Sequence, residues 1–370
     1  MPLNLRIPGP TPVPEEVLNE LSRPMINHRG REFASLLHEC EEGTKRVFQT
    51  KNDILFFPSS GSGMLEASVA NTLSPGDRVL GVSIGSFGKR WGEIARRFGA
   101  DVTMLEFEWG QGADPNVVED RLREEGPFKA VLMTHNETST GITNDLESLS
   151  KVIKPTGALF MVDAVSSLGC VDLQTDNWGV DVVCTGSQKA LMLPPGMGLV
   201  SVSPKAWEYN KEAKMPRFYW DWANALKYQK NGENPYTPPV SLYYGLKLSL
   251  QLIEKEGLQN IFRRHQELAA YCRQTLQELG LKMFADPKYA SPAITSAYVP
   301  EGLKSKQIQY PLEDKYDVVI AIGQEHLLDK IIRIGHMGYV SKQDLSECLA
   351  CLREVLVELG HKVPAGAAVA

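Results

Sequence analysis

The sequence has no surplus of positive charge and no long apolar run. Its 45 acidic residues outnumber its 39 Lys and Arg residues, which gives a formal net charge of −6 at pH 7. A chain of that charge does not attract nucleic acid or an anionic membrane through its overall field. No stretch approaches the about 18 consecutive apolar residues of a membrane-spanning helix, and the first residues lack a basic segment followed by an apolar run. We therefore expect a soluble, cytoplasmic protein without nucleic-acid or membrane partners.

The sequence also offers little from which a metal site could be built. Of its six cysteines only Cys348 and Cys351 are closely spaced, and neither a second pair nor a His cluster accompanies them. Both lie in a pattern typical of an amphipathic helix, so we expect buried free thiols and no metal. The chain also lacks the Gly-Lys-Ser/Thr ending of a nucleotide P-loop and the glycine spacing of a dinucleotide-binding loop. These absences argue against a nucleotide P-loop and a dinucleotide-dependent dehydrogenase.

What the chain does contain, between residues 50 and 250, is an alternation of short apolar runs and helical stretches. The runs are continuous rather than alternating and are bounded by turn residues, as is typical of strands covered on both faces. They span residues 54–57, 78–82, 130–134, 158–162, 180–184 and 198–202. The alternation predicts an α/β fold with a mostly parallel sheet and helices on both of its faces.

The length of 370 residues suggests about two domains. Residues 1–20 contain five prolines and predict an extended N-terminal arm that lies on another part of the protein. We expect a large domain over residues 21–252 and a smaller C-terminal α+β domain over residues 253–370. In the latter, the periodicity predicts helices over residues 258–279 and 342–359.

A lysine follows one of the predicted strands. Lys189 lies beyond the run 180–184, and open α/β sheets bind their ligands at the carboxyl ends of strands. The apolar, proline-containing segment after it would desolvate the ε-amine and lower its pKa, which favours a nucleophile able to form a Schiff base. Taken alone, such a residue is more often an ordinary surface lysine.

Two further features point to the same chemistry. Asp163 directly follows the run 158–162. A buried carboxylate at this place needs a cationic partner, such as a protonated pyridine nitrogen. The alternative is that Asp163 is the N-cap residue of a helix. The small residues 59–63 precede a helical stretch and would expose backbone N–H groups at its start. Such a loop forms an anion site suited to a single phosphate.

Six short motifs follow one another along the chain. They are Gly9-Pro10-Thr11-Pro12, the loop 59–63, and the segments 134–141, 162–169, 186–190 and 333–335. Together they resemble the class V aminotransferases, and specifically the branch of alanine–glyoxylate, serine–glyoxylate and serine–pyruvate aminotransferases. The resemblance runs from residue 7 to about residue 358, which is nearly the whole chain.

The resemblance implies fold type I of the pyridoxal-phosphate enzymes, with a mostly parallel seven-stranded sheet between helices, and a homodimer with shared active sites. It implies pyridoxal 5′-phosphate as cofactor, Lys189 as the Schiff-base lysine, Asp163 as the partner of the pyridinium nitrogen, and Arg333 as the ligand of the substrate α-carboxylate. The further cofactor contacts that it implies are Ser60, Gly61, Ser62 and Gln188 to the phosphate, Thr237 to the phosphate of the neighbouring subunit, Val165 and Phe87 to the two ring faces, and Thr138 near the ring hydroxyl.

The sequence departs from the family at the phosphate site. Asn234 stands where relatives have a tyrosine, so Tyr236 is the alternative contact, and Ser62 replaces Thr or His. His28 and His135 are expected to have structural or substrate-shaping roles, because the lysine already supplies the proton transfer.

The activity implied is a ping-pong transfer of an amino group from alanine or serine to glyoxylate or pyruvate, in which Lys189 moves the Cα proton. Ureidoglycine or aspartate as donor, a cysteine-desulfurase-like lyase of the same fold, and a non-catalytic scaffold subunit remain as alternatives.

Overall fold

The computed structural model describes residues 3–364, and its main feature is a large sheet between two layers of helices. The strands are β1 (Asn4–Arg6), β2 (Asp53–Ser59), β3 (Arg78–Ser83), β4 (Asp101–Glu106), β5 (Ala130–Thr134), β6 (Asn136–Glu137), β7 (Ile142–Thr143), β8 (Leu159–Asp163), β9 (Val182–Gly186), β10 (Gly196–Val202), β11 (Ile294–Tyr298), β12 (Val318–Ile322) and β13 (Ile331–Gly335).

The helices differ widely in length, and two short 3₁₀ turns accompany them at Lys154–Thr156 and Glu325–Leu327. The α-helices are α1 (Glu15–Leu21), α2 (Arg31–Phe48), α3 (Gly61–Thr72), α4 (Ser86–Arg97), α5 (Pro115–Glu125), α6 (Leu146–Ile153), α7 (Thr175–Trp178), α8 (Pro204–Glu212), α9 (Trp222–Gln229), α10 (Val240–Glu256), α11 (Leu258–Glu278), α12 (Ser305–Tyr316) and α13 (Lys342–Glu358).

The large sheet has seven strands in the order β2-β10-β9-β8-β5-β3-β4. Strands β9, β8, β5, β3 and β4 are parallel, and β10 is antiparallel to both of its neighbours. Only residues 187–195 separate β9 from β10. That segment is too short for the crossover of a dozen or more residues that a parallel connection needs. The predicted mostly parallel seven-stranded α/β fold is confirmed.

Alternate residues of the strands enter two different hydrophobic cores, because successive side chains of a strand point to opposite faces. In β8, Phe160 and Val162 face a core that includes α2, α5, α6 and α10, whereas Leu159 and Met161 face a core that includes α3, α4, α8 and α9. Both faces of the sheet are therefore covered, which explains why its strands appear in the sequence as continuous apolar runs.

A second sheet lies in the C-terminal part of the chain, with the strand order β1-β12-β13-β11. Its own core is formed with helices α11, α12 and α13. The first strand comes from the opposite end of the chain, since β1 pairs in parallel with β12 through Leu5 and Val319. The N-terminal segment thus joins the small sheet, while the following segment crosses to the large one.

The structure differs from the sequence-based predictions in three places. Strand β4 was not among the predicted runs. The arm predicted as extended over residues 1–20 contains β1 and helix α1. The predicted boundary between residues 252 and 253 falls inside α10, which ends at Glu256. Among the described residues 3–364, no helix combines the length and apolar character needed to cross a membrane.

Candidate active site

The candidate site lies where strands β9, β8, β5, β3 and β2 end along one edge of the large sheet, and the residues that follow these strands converge on one cavity. Nine residues predicted from the sequence line it: Ser60, Gly61, Ser62, Phe87, Thr138, Asp163, Val165, Gln188 and Lys189. The topology produces this convergence, because parallel strands place the loops after their carboxyl ends side by side.

Lys189 follows β9 and is packed against the N-terminal segment of the chain. Its ε-amine donates a hydrogen bond to the Pro8 carbonyl, and its own carbonyl accepts one from the Thr11 hydroxyl at 2.9 Å. Gly9 has a φ of +127°, which residues with a Cβ rarely adopt, and a Cβ atom there would lie 2.5 Å from the lysine Nζ. Burial lowers the pKa of Lys189 to about 8, and the nearby Arg333 charge adds to this effect while Asp163 opposes it.

Asp163 is the last residue of β8 and is 3% exposed. Its Oδ1 accepts a hydrogen bond from the Val165 N–H at 2.9 Å. No basic side chain of the described residues forms an ion pair with it. Burial raises its pKa to about 7; Glu137 raises it further, and Lys189 and Arg90 oppose the rise. A buried carboxylate that lacks an ion-pair partner is suited to binding a cationic ligand.

The loop before α3 forms the opposite wall of the cavity. Ser60 is the N-cap residue of α3, and its side chain makes no capping hydrogen bond. The first N–H groups of a helix have no intrahelical partners and attract anions. Gly61 lies directly against Val165, because a Cβ atom at Gly61 would come within 2.4 Å of Val165 Cγ2. The Gln188 Oε1 atom nearby is buried and has no hydrogen-bond partner among the described residues.

Arg333 is not among the residues that line the cavity, although the sequence predicted it as a site residue. It lies on β13 and is 5% exposed. Its Nε donates to the Ile322 carbonyl at 2.9 Å and its Nη1 to the Thr138 carbonyl at 2.7 Å. Within the described residues no hydrogen-bond partner is found for Nη2. Burial lowers the pKa of Arg333 to about 10, and the charge of Glu137 opposes that shift.

Thr237 lies outside the cavity of its own chain and is exposed. Asn234 and Tyr236, the two residues considered in place of the tyrosine of the family, also lie away from the cavity. Asn234 is buried and donates to the Tyr243 hydroxyl at 3.3 Å. Tyr236 donates to the Phe218 carbonyl at 3.3 Å and stacks on Tyr219 with ring centroids 5.0 Å apart. Within one chain, none of these side chains contacts the cavity.

The two histidines considered from the sequence also lie outside the cavity. His135 is buried, packs edge-on against Trp178, and burial lowers its pKa to about 3, so it is uncharged near neutral pH. His28 is half-buried in the segment before α2. Neither is placed to exchange a proton with a ligand in this cavity.

Sequence reasoning missed four residues that line the cavity, namely Leu65, Arg90, Asn136 and Ser166. Asn136 and Ser166 lie in segments already recognised as motifs, and they form one network with Thr138. Ser166 Oγ receives hydrogen bonds from Asn136 Nδ2 at 2.9 Å and from Thr138 Oγ1 at 3.0 Å, and donates to the Asn136 carbonyl at 2.7 Å. The sequence feature that could have identified Asn136 and Ser166 was a polar residue type within a recognised motif.

No cysteine and no metal cluster belong to the site. All six cysteines are free thiols, and none of them lines the cavity. Residues 3–364 contain no group of three or more His, Cys, Asp and Glu side chains that could hold a metal ion. The ionisable residues that do line the cavity are Lys189, Asp163 and Arg90.

Comparison with known proteins assigns the chain to a family. The model for "Aminotransferase class-V" matches residues 5–347. The chain belongs to the class V aminotransferases. This assignment agrees with the arrangement of lysine, aspartate and anion-binding loop around one cavity.

Curated relatives of this class V chain carry different names. It is 45% identical to the soluble hydrogenase 42 kDa subunit of Anabaena cylindrica, over 97% of this chain and 94% of that protein. It is 39% identical to the L-aspartate–glyoxylate aminotransferase of Paracoccus denitrificans, over 98% and 93%. It is 38% identical to the serine–glyoxylate aminotransferase of Methylorubrum extorquens, over 99% and 94%.

A solved structure is also similar to this chain. The ureidoglycine–glyoxylate aminotransferase of Bacillus subtilis superposes with a TM-score of 0.94 at 31% identity, covering 99% of this chain and 96% of that one. Three of these four proteins are named as aminotransferases that use glyoxylate, with three different amino donors.

Proposed function

We propose that this class V chain is a pyridoxal-phosphate-dependent aminotransferase that moves an amino group from a small amino acid, alanine or serine, to glyoxylate or pyruvate by a ping-pong mechanism. One observation carries the proposal. A lysine with a pKa lowered to about 8 and a buried carboxylate that has no ion-pair partner within residues 3–364 border the same cavity, beside the N-terminus of α3. This combination supplies an amine nucleophile, a partner for a cationic ring nitrogen and an anion site.

The residues present fit the cofactor. Its phosphate would bind at Ser60, Gly61 and Ser62, with the side-chain NH2 group of Gln188 as a further donor. Its ring nitrogen would meet the Asp163 carboxylate, its ring would lie between Val165 and Phe87, and Thr138 would contact the ring hydroxyl. When bound, the cofactor supplies an electron sink for the negative charge that develops at the substrate Cα.

The side chains of this protein would then bind the substrate and move its proton. Lys189 Nζ takes the proton from the substrate Cα, and a pKa of about 8 keeps a useful fraction of this amine neutral at physiological pH. Arg333 does not line the cavity, but its charge acts on Lys189. Its guanidinium group would bind the substrate α-carboxylate through Nη2 while Nε and Nη1 donate to the Ile322 and Thr138 carbonyls. Thr237 reaches the phosphate of the partner subunit in a homodimer.

The names of the relatives support glyoxylate as acceptor more strongly than any one donor. Aspartate and ureidoglycine are therefore alternative donors, alongside alanine and serine. The similarity to a protein named as a hydrogenase subunit favours one candidate of another class, a non-catalytic scaffold subunit. The pairing of Lys189 with Asp163 argues against it, because a scaffold gains nothing from two buried ionisable groups at a cavity.

An absorption experiment distinguishes these functions. The purified protein, supplied with pyridoxal phosphate, is expected to gain a visible absorption band that decreases with the correct amino donor and returns with glyoxylate. Reduction with borohydride should attach the cofactor covalently to wild-type protein but not to Lys189→Ala, because Lys189 is the one lysine of the described part of the chain that lines the cavity. Lys151→Ala, which changes an exposed lysine ion-paired with Glu147, is the matched control and should be labelled normally.

The outcomes separate the candidates. A protein that acquires no visible band is not an aminotransferase, and the scaffold becomes the better explanation. A protein that acquires the band and releases sulfide from cysteine is a desulfurase. A response to aspartate but not to alanine or serine would retain the reaction and change the donor.

A further inference from the structure

Glu137 is a buried carboxylate directly behind the cavity, and no step of the proposed reaction uses it. It lies on β6 between Asn136 and Thr138, both of which line the cavity, and it is fully buried. A buried carboxylate is costly unless its oxygens are hydrogen-bonded. The groups that bond to it therefore indicate its role.

Two of the four groups that donate hydrogen bonds to Glu137 lie at the start of helix α4. Glu137 Oε2 accepts from the N–H groups of Phe87 at 3.1 Å and Gly88 at 3.2 Å. Glu137 Oε1 accepts from the Ser139 N–H at 3.1 Å and from its hydroxyl at 2.6 Å. The same Ser139 hydroxyl accepts from the Ser86 N–H at 3.0 Å. The first three N–H groups of α4 thus donate hydrogen bonds to the side chain of Glu137 or of Ser139.

This arrangement replaces the ordinary cap of the helix. Gly85 is the N-cap residue and has no side chain to offer. A negative charge at a helix N-terminus is favourable because it satisfies free N–H groups and complements the helix dipole. The fit is close, since a Cβ atom at Gly85 would lie 2.4 Å from Ser139 Oγ and 2.5 Å from Glu137 Cγ. The second residue of the helix held in this way is Phe87, whose ring lines the cavity.

The same loop also reaches Arg333. The Thr138 carbonyl accepts from Arg333 Nη1 at 2.7 Å, and the charge of Glu137 raises the pKa of Arg333 against the effect of burial. Burial raises the pKa of Glu137 itself, and the hydrogen bonds that it accepts from Phe87, Gly88 and Ser139 oppose the rise. Four donors directed at its two oxygens match an ionised carboxylate.

We propose that Glu137 is a positioning residue, whose carboxylate fixes the backbone of Phe87 so that the ring stays against the face of the bound cofactor. The proposal rests on the proposed function, since it concerns the orientation of that cofactor. If the cap only stabilised the fold, its removal would lower the melting temperature without affecting the cofactor environment. The two roles are therefore separable.

A double-mutant cycle provides the test, with wild type, Glu137→Gln, Phe87→Leu and the double variant, each loaded with pyridoxal phosphate. We expect Glu137→Gln to weaken the visible circular dichroism of the bound cofactor and to lower kcat by about tenfold to a hundredfold, with KM for the donor raised less, because small misplacements of reacting groups have effects of that size. In the Phe87→Leu background the same substitution should have little further effect, because the aromatic ring that Glu137 positions is absent. Glu147→Gln, an exposed carboxylate paired with Lys151, is the matched control and should change nothing.

Equal effects of Glu137→Gln in both backgrounds, or a changed melting temperature with normal dichroism, would overturn the proposal. Should Glu137→Gln fail to fold, Ser139→Ala carries the same cycle, because it removes the hydroxyl shared by Glu137 and Ser86 and is expected to act in the same direction with a smaller effect. Wild-type protein that binds no cofactor would instead contradict the proposed function, which keeps the two failures distinct.

Discussion

At the scale of single residues, the site combines two ionisable groups that burial shifts toward neutrality. The pKa of Asp163 rises to about 7 and that of Lys189 falls to about 8, each with desolvation as its largest cause. Both groups therefore cost stability near neutral pH in the protein without a ligand. Sites that are costly to fold in this way are typical of function rather than of packing.

The cost of Asp163 can be measured through its pH dependence. Its pKa is raised from 3.8 to about 7, so between these values the folded state keeps a proton that the unfolded state has released. The favourable contribution of the Asp163 carboxyl group to the free energy of unfolding is fully present below about pH 4 and is lost as the pH rises through about 7. We expect cofactor-free Asp163→Asn to be more stable than wild type at pH 8 by roughly 2–4 kcal/mol, since one pKa unit corresponds to about 1.4 kcal/mol.

Urea unfolding of the two cofactor-free proteins between pH 4 and pH 8 checks this expectation. The advantage of Asp163→Asn should disappear toward pH 4, and the variant should bind pyridoxal phosphate more weakly because its ring nitrogen loses an ionic partner. A difference in unfolding free energy that is the same at every pH would show that the carboxylate is not desolvated as described.

Lys189 and Asp163 could be predicted from the sequence because each follows a recognisable strand, whose end fixes its place at the edge of the sheet. Gly9 and Glu137 could not be assigned roles in the same way. Gly9 contacts a lysine 180 positions further along the chain, and Glu137 caps a helix that begins 51 positions earlier. Contacts at such separations depend on the tertiary arrangement, which local patterns do not encode.

At the scale of elements, continuous apolar runs identified the central strands, whereas strand β4 was missed. β4 is the edge strand next to β3, and most of its residues are at least partly exposed. An edge strand does not need the continuous apolar run by which the buried strands were recognised. Helix α1 was missed because the prolines that precede it dominate the segment, although Pro14 at its N-cap is compatible with a helix start.

The start of α3 offers a test of the anion site as an element. Gly61→Ala would place a Cβ atom 2.4 Å from Val165 Cγ2, so the loop and the ring-facing valine must move apart. We expect the dissociation constant for pyridoxal phosphate to rise by about tenfold or more, which corresponds to the loss of one or two well-aligned hydrogen bonds. Titration of the visible absorption band measures this change.

Ser62→Ala is the matched control for that substitution. It alters the same turn but removes only an exposed hydroxyl and leaves the backbone N–H groups in place. Its effect on affinity should be clearly smaller than that of Gly61→Ala. The reverse order would mean that side chains rather than the helix N-terminus hold the phosphate.

At the scale of the whole molecule, the site of one chain lacks a contact that the sequence predicts. Thr237 is exposed and outside the cavity, and it follows a surface cluster of aromatic residues in which Phe218 is 79% exposed. The cluster also includes Tyr219, Trp220 and Tyr236, whose rings contact one another. An exposed aromatic cluster beside a residue assigned to a neighbouring site is consistent with the proposed homodimer.

Mixed dimers test whether Thr237 acts across the interface. Lys189→Ala and Thr237→Ala chains, carrying different affinity tags and produced together, yield heterodimers that can be isolated. If Thr237 serves the partner's site, both substitutions fall in the same site and the other site is wild type. If Thr237 serves its own chain, every site carries one substitution. The two arrangements therefore predict different numbers of intact sites from the same pair of chains.

The measurement is covalent trapping of pyridoxal phosphate by borohydride at a concentration that fills wild-type sites but not those of the Thr237→Ala homodimer. Loss of one hydrogen bond to a charged phosphate should weaken binding by about tenfold or more, which makes such a concentration available. We expect the heterodimer to trap half as much cofactor as wild type, with wild-type affinity. Trapping only at the higher concentration would assign Thr237 to its own chain, and a monomeric protein would remove the shared site altogether.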